Sequence, residues 1–211
     1  MSIQSNFPAI RPTLNLDFAN TKRLDPRITF TRASEGRYYD ASTVAVAEQN
    51  LLTYSQEFDN GIWTKVNSTV TANSTAAPDG TTTADSLIEN SATSNHGCQQ
   101  STTLTAAQHT FSVYVKSNGR NWVQLVMNNV ANGFAYFDVT AGTVGTVGAG
   151  ATAAISNAGG GWYRCSITFT AVAGTSVPII RIASANGTAS YAGDGTSGIY
   201  LWGAQIEQRS T

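Results

Sequence analysis

His96 and Cys98 stand two residues apart in "NHGCQQ", a spacing at which an imidazole and a thiolate on one strand face can share a metal ion. A zinc site needs three or four ligands, so His109 and Cys165 would both have to converge on that point. A loop histidine and a core thiol require no such convergence and account for the same residues. Neither histidine lies in an HExxH frame or beside a nucleophile motif. The thirteen acids include no recognisable pair of the kind that cleaves a glycosidic bond. Asp79 in "PDGT" and Asp194 in "AGDGTSG" read as turn formers, because Asp-Gly supplies the backbone geometry of a tight turn. A calcium ion held by such a loop is the alternative. The glycine runs "AGGGW" and "GTVGTVGAG" lack the Lys-Ser/Thr ending and the following helix of a phosphate loop. The expectation is a protein that is not an enzyme and carries no cofactor and no metal.

What is left is aromatic and amide chemistry. Trp63, Trp122, Trp162 and Trp202, with eight tyrosines, are prominent in a chain whose charged residues make up only 12%. Aromatic rings stack on the apolar faces of sugars while amides and guanidinium groups supply directed hydrogen bonds. "NGRNWVQ" therefore offers Arg120, Asn121, Trp122 and Gln124 as candidate glycan contacts. Each tryptophan is equally suited to a sandwich core or a subunit interface.

The elements that would position these residues are strands. In "HTFSVYVKS" Phe111, Val113 and Val115 face one way and Ser112, Tyr114 and Lys116 the other. "WYRCSITFT" sorts Tyr163, Cys165, Ile167 and Phe169 from Arg164, Ser166 and Thr168. Residues 121–128, 133–140, 177–185 and 198–207 are further strands separated by Gly- and Asn-rich turns, and the last, apolar on both faces, reads as central. Residues 140–161 form an ordered excursion of small residues within the domain rather than a linker. In 50–67, Leu51, Leu52, Tyr54, Phe58, Ile62 and Trp63 supply apolar mass to clamp the domain edge around an Asp59-Asn60-Gly61 turn. Val70 and Ala72 then begin a strand that "PDG" turns back into "TADSLIE".

A net charge of −1 argues against a nucleic-acid binder, which would concentrate basic side chains on one face. Residues 1–40 hold six of the twelve basic residues against four acids, which reads as a salt-bridged arm or, alternatively, a phosphate-binding patch. No basic start followed by an apolar run marks a signal peptide, and no stretch approaches the roughly 18 apolar residues of a membrane helix. Two cysteines do not make a disulfide framework, and a chain made in a cytoplasm is expected to keep Cys98 and Cys165 as buried free thiols.

Taken in order, "RPTLNLDFANTKRLDPRITFTRAS", "NLLTYSQEFDNGIWTK", "APDGTTTADSL", "FSVYVKS", "GGWYRCSITFTA" and "GIYLWGAQIEQ" resemble a module of tailed-bacteriophage virion proteins: fibres, appendages and capsid-decorating proteins. The body is also similar to the β-sandwich of carbohydrate-binding modules. The expected fold is all-β: a jelly-roll-like antiparallel β-sandwich over 50–211, preceded by an extended N-terminal arm over 1–49. The resemblance implies a virion structural protein made in the host cytoplasm, a capsid decoration protein or short head or tail fibre. It would be a homotrimer bound to other virion proteins, without nucleic-acid binding or membrane insertion. The arm would anchor it, with Phe18, Arg23, Arg27, Phe30 and Arg32 as candidate anchoring residues. The alternative is an adhesin that recognises a host-surface glycan.

Overall fold

A strand with one buried face repeats its apolar side chains every second residue, and stacking two such sheets hides both apolar faces at once. The computed structural model describes residues 37–40, 43–46 and 49–208. The chain divides into two compact units, Met1–Ala47 and Glu48–Thr211. In the first, β1 (Arg37–Asp40) and β2 (Thr43–Val46) form an antiparallel hairpin with Asp40 opposite Thr43. The five candidate anchoring residues Phe18, Arg23, Arg27, Phe30 and Arg32 lie outside the described residues, as does most of the expected arm.

The second unit is an antiparallel β-sandwich with no helix among the described residues. Its first sheet has seven strands. Across it run β11 (Thr143–Val147), β10 (Phe134–Asp138), β9 (Trp122–Met127), β15 (Pro178–Ala183), β6 (Thr93–Gln99) and β16 (Ser190–Ala192), with β3 (Thr64–Val66) also paired to β6. The second, six-stranded sheet runs β12 (Thr152–Gly159), β13 (Trp162–Thr170), β8 (Gln108–Asn118), β17 (Gly198–Gln208), β5 (Ala84–Glu89) and β4 (Ser68–Thr75). A short ribbon pairs β7 (Thr102–Leu104) with β14 (Gly174–Ser176). The expected strands stand where alternation placed them. The excursion over 140–161 supplies β11 and β12, and β17 is central, between β8 and β5.

The interior is apolar from both sides. Phe111, Val113 and Val115 of β8 and Cys165 and Ile167 of β13 meet Val123 and Leu125 of β9 and Ile180 and Ile182 of β15, all fully buried. Each such valine, leucine, isoleucine or phenylalanine contributes about 1.5 to 3 kcal/mol on burial. Both cysteines are free and inside, and burial pushes the Cys98 thiol up to about 12.

Residues 50–63 seal one edge. Where β17 bulges between Trp202 and Gln205, it leaves β5 and takes this segment as its neighbour. The Leu51 N–H donates to the Ile206 carbonyl at 2.8 Å, and the Ala204 N–H donates to the Ser55 carbonyl at 2.9 Å. Leu52, Phe58 and Trp63 enter the core. Tyr54 and Ile62, expected to join them, are about half exposed at 51% and 48%. The cause is local: the chain turns repeatedly here, with Tyr54 at φ 50°, so consecutive side chains cannot all face inward.

Asp85 occupies an inward position on β5, opposite Leu201, and is 1% exposed. Its carboxylate accepts from the Phe58 N–H at 2.7 Å and from the Asn73 N–H at 2.9 Å. Asn73 sits at φ 53° inside the bulge of β4. One side chain thus fixes both the 55–60 turns and the β4 bulge. Burial pushes its carboxyl above the ordinary aspartate range, with the two N–H bonds opposing. An Asp85→Ala variant strands both donors and is expected to lose roughly 2 to 4 kcal/mol of stability, read by chemical denaturation, while Asp59→Ala nearby changes it by less than about 1 kcal/mol.

Candidate functional site

With Ile180 and Ile182 facing the core, period two turns Ile179, Arg181 and Ala183 of β15 to the outer face of the seven-stranded sheet. Register then sets their neighbours. One row crosses five strands as Val66, Gly97, Arg181, Gln124 and Tyr136. On one side of it run Thr64, Gln99, Ile179, Val126 and Phe134, and on the other Ala183, Trp122 and Asp138.

Gly97 makes a gap in the central row. A Cβ there would lie 2.1 Å from the Ile180 carbonyl oxygen and 3.0 Å from Arg181 Cα, so no larger residue fits while β6 and β15 run this close. The gap is part of a depression of about 60 Å³ lined by Val66, Asn95, His96, Gly97, Gln99, Ile179 and Arg181. Val66 and Ile179 give it apolar walls. Among the described residues the side-chain amides of Asn95 and Gln99 have no hydrogen-bond partner.

Arg181 is half-buried at the rim and is held from behind. Its Nη1 donates to Gln124 Oε1 at 3.3 Å. Gln124 lies directly opposite Tyr136 of β10, with the two side chains side by side on the same face. Burial pulls the guanidinium below its ordinary value, with the nearby Tyr136 opposing, and burial pushes the Tyr136 hydroxyl up. Gln124 and Tyr136 are almost covered, at 6% and 5% exposed, so they position Arg181 rather than meet solvent themselves. Tyr136 packs with Ala183, Ala189, Trp122 and Phe134 beside the depression. The Trp122 ring lies so close to β11 that a Cβ on Gly145 would stand 2.6 Å from it.

Of the four residues expected to contact a glycan, Trp122 and Gln124 reach this outer face. Asn121 accepts from the Ser117 hydroxyl at 2.9 Å. Arg120 turns to Glu89, whose side chain is fully buried at the end of β5. Arg120 Nε donates to Glu89 Oε2 at 3.0 Å and its Nη2 to Oε1, the Tyr191 hydroxyl donates to Oε2, and the Asp194 N–H donates to Oε1 at 2.9 Å. The guanidinium also lies over the Tyr191 ring, 5.1 Å from its centroid. Burial pushes the Glu89 carboxyl up, but the bonds from Arg120, Tyr191 and Asp194 outweigh it and hold the group below the ordinary glutamate value.

Asp194 closes its own turn by accepting from the Thr196 N–H at 2.8 Å and the Ser197 N–H at 2.7 Å, the role expected of it. Asp79 does the same for Thr81, at 2.9 Å. The other tryptophans serve the fold. Trp63 is in the core, while the indoles of Trp162 and Trp202 donate to the Ala76 carbonyl at 3.1 Å and the Thr83 hydroxyl at 3.0 Å. No group of three or more His, Cys, Asp or Glu among the described residues is placed to hold a metal ion. Sequence reasoning missed Arg181, Gly97, Asn95 and Gln99. The available signal was a lone cation in an otherwise apolar strand, "PIIRIA", of a weakly charged chain.

No protein-family profile matches the chain, and no curated protein matches it significantly. Among solved structures it is similar to the xylanase 10B modules of Clostridium thermocellum complexed with xylohexaose, at 17% identity and TM-score 0.47 over 78% of this chain. It is similar to the enzymatically active domain of tailspike protein 4 of bacteriophage CBA120, at 11% identity and TM-score 0.46 over 76% of this chain. TmCBM61 in complex with β-1,4-galactotriose gives 12% identity and TM-score 0.46 over 76% of this chain and 99% of its own. This chain spans only 29% of the xylanase chain and 21% of the tailspike chain. Likeness of this degree assigns no function.

The Glu89 cluster has a pH signature. Because the folded carboxyl is held below 4.5, its stabilising contribution is complete above that pH and is lost as pH falls through the lower folded value. An Arg120→Gln variant is expected to be destabilised by about 2 to 3 kcal/mol at pH 7, less than for a fully buried pair because the arginine is partly exposed. Denaturation across pH should show the gap to wild type narrowing below pH 4.5, the ordinary glutamate value.

Proposed function

We propose that the sandwich is a saccharide-binding module that contacts its ligand with the outer face of the seven-stranded sheet and does not turn it over. The observation that carries this reading is the convergence of Arg181, Asn95 and Gln99, with donors and acceptors to spare, on one depression walled by Val66 and Ile179. Amides and guanidinium groups offer paired hydrogen-bonding atoms at the spacing of neighbouring sugar hydroxyls, and aliphatic walls suit the C–H face of a ring. Gln124 and Tyr136 fix Arg181 before a ligand arrives, which lowers the entropy cost of binding. The depression is well below the roughly 300 to 1,000 Å³ of drug-sized sites, so it takes part of one sugar unit, with an affinity on the order of 1 mM or about −4 kcal/mol. Copies displayed together would raise that by avidity.

A second reading, favoured by the end-to-end resemblance of the segments quoted above, is a structural component of a bacteriophage virion. In it, residues 1–49 anchor a trimer to the capsid or tail and the sandwich projects. The two readings are compatible, since a virion appendage displays its binding face in many copies.

Glycan-array and titration measurements on the full chain are expected to find at least one saccharide ligand, and Arg181→Gln should weaken it at least about tenfold. Absence of binding to any glycan would overturn the first reading. For the second, deletion of residues 1–40 is expected to abolish occupancy on particles, and undiminished occupancy would remove the anchoring role.

A further inference from the structure

We propose that the saccharide taken by this depression is an acidic one, a uronic-acid-type sugar whose carboxylate pairs with Arg181; the proposal rests on the saccharide-binding reading and narrows it. Among the described residues Arg181 has no counter-charge on the sheet around it. The outward neighbours of Arg181 are Gly97, Asn95 and Gln99 on β6, Val66 on β3, Ile179 and Ala183 on its own strand, Trp122, Gln124 and Val126 on β9, and Tyr136 on β10. None is acidic. The ion pairs among the described residues belong to Arg120, with Glu89 and Asp194. Arg120 meets a buried carboxylate, and Arg164 of β13 meets the Ser112 hydroxyl at a short 2.9 Å.

Arg181 has instead one long hydrogen bond to a neutral amide, 3.3 Å from Gln124, leaving four of its five N–H donors without a protein acceptor among the described residues. A half-buried cation without an anion is an unfavourable arrangement for the free protein. A ligand carboxylate removes that cost. The planar guanidinium meets a planar carboxylate through two parallel N–H···O bonds, a geometry a lysine cannot reproduce. The sugar ring would then lie toward Val66 and Ile179, with Asn95 and Gln99 in reach of its hydroxyls. A neutral sugar leaves the guanidinium without a counter-charge.

Titration calorimetry on the full chain with oligogalacturonate and with the same oligomers after carboxyl reduction tests this directly, because the pair differs only at the carboxylate. Binding of the acidic oligomer at least about tenfold tighter than the reduced one is expected, with the same loss in Arg181→Lys, which keeps the charge but not the fork. Equal affinity for both oligomers would overturn the acidic-sugar proposal and leave the saccharide reading standing. Binding of neither, together with a blank glycan array, would overturn both. Should Arg181→Lys bind as wild type does, the forked contact is wrong. If an Arg181 variant fails to fold, as judged by its thermal midpoint, the Asn95→Ala/Gln99→Ala double variant replaces it, and unchanged oligogalacturonate binding there would move the site elsewhere.

Discussion

The apolar layer between the two sheets is the constraint on which the remaining structure depends. Along a strand the side chains alternate strictly, so choosing which residues fill the interior also chooses which residues face out. With Ile180 and Ile182 inside, Arg181 has no option but the outer face. A one-residue slip of β15 would bury a guanidinium and expose two isoleucines, a change unfavourable on both counts. The candidate site is therefore a consequence of core packing. The same rule on β9 brings Gln124 out beside Arg181 while Val123 and Leu125 go in.

Charge is scarce in this chain, and where it is buried it holds backbone in place. Asp85 caps two N–H groups that turns and a bulge would otherwise leave unpaired. Glu89 gathers a guanidinium, a phenol and a backbone N–H, tying β5 to β16 and to the 193–197 turn. Gln100 does the neutral equivalent for Thr53, accepting from its N–H at 3.0 Å and donating to its carbonyl at 2.9 Å. Such groups are favourable only when fully satisfied, and these are. Against that pattern the sparse bonding of Arg181 stands out: it is the half-buried charged side chain whose structural partner is a single amide.

The tryptophans carry a related lesson. In a weakly charged chain rich in aromatic residues, exposed rings are the natural candidates for sugar contact, yet Trp63, Trp162 and Trp202 are committed to the core or to the 76–83 loop, and Trp122 packs against β11. The surface that remains is made of amides, one guanidinium and short aliphatic walls. A shallow face of this kind suits many weak contacts made in parallel.

Alternation was readable in the chain because it is local: a strand carries its own in-and-out pattern, so β8, β9, β10, β13, β15 and β17 and the turns at Asp79 and Asp194 could be placed from sequence. The edge segment was less legible, since in 50–63 the backbone turns too often for period two to apply, and Tyr54 and Ile62 fell on the solvent side. Beyond the central place of β17 and the return of β4 onto β5, sheet order was not legible. Backbone hydrogen bonds pair any strand with any other, and nothing in "NHGCQQ" indicates that Gly97 will lie opposite Arg181, or that Arg120 will find Glu89 rather than join its neighbour Trp122. The sequence by itself thus determined an all-β sandwich and the identity of its outward-facing residues. Only the tertiary structure decided which of those residues share a site, because adjacency across a sheet is set by non-local pairing and by the close approach of β6 and β15 that a glycine permits.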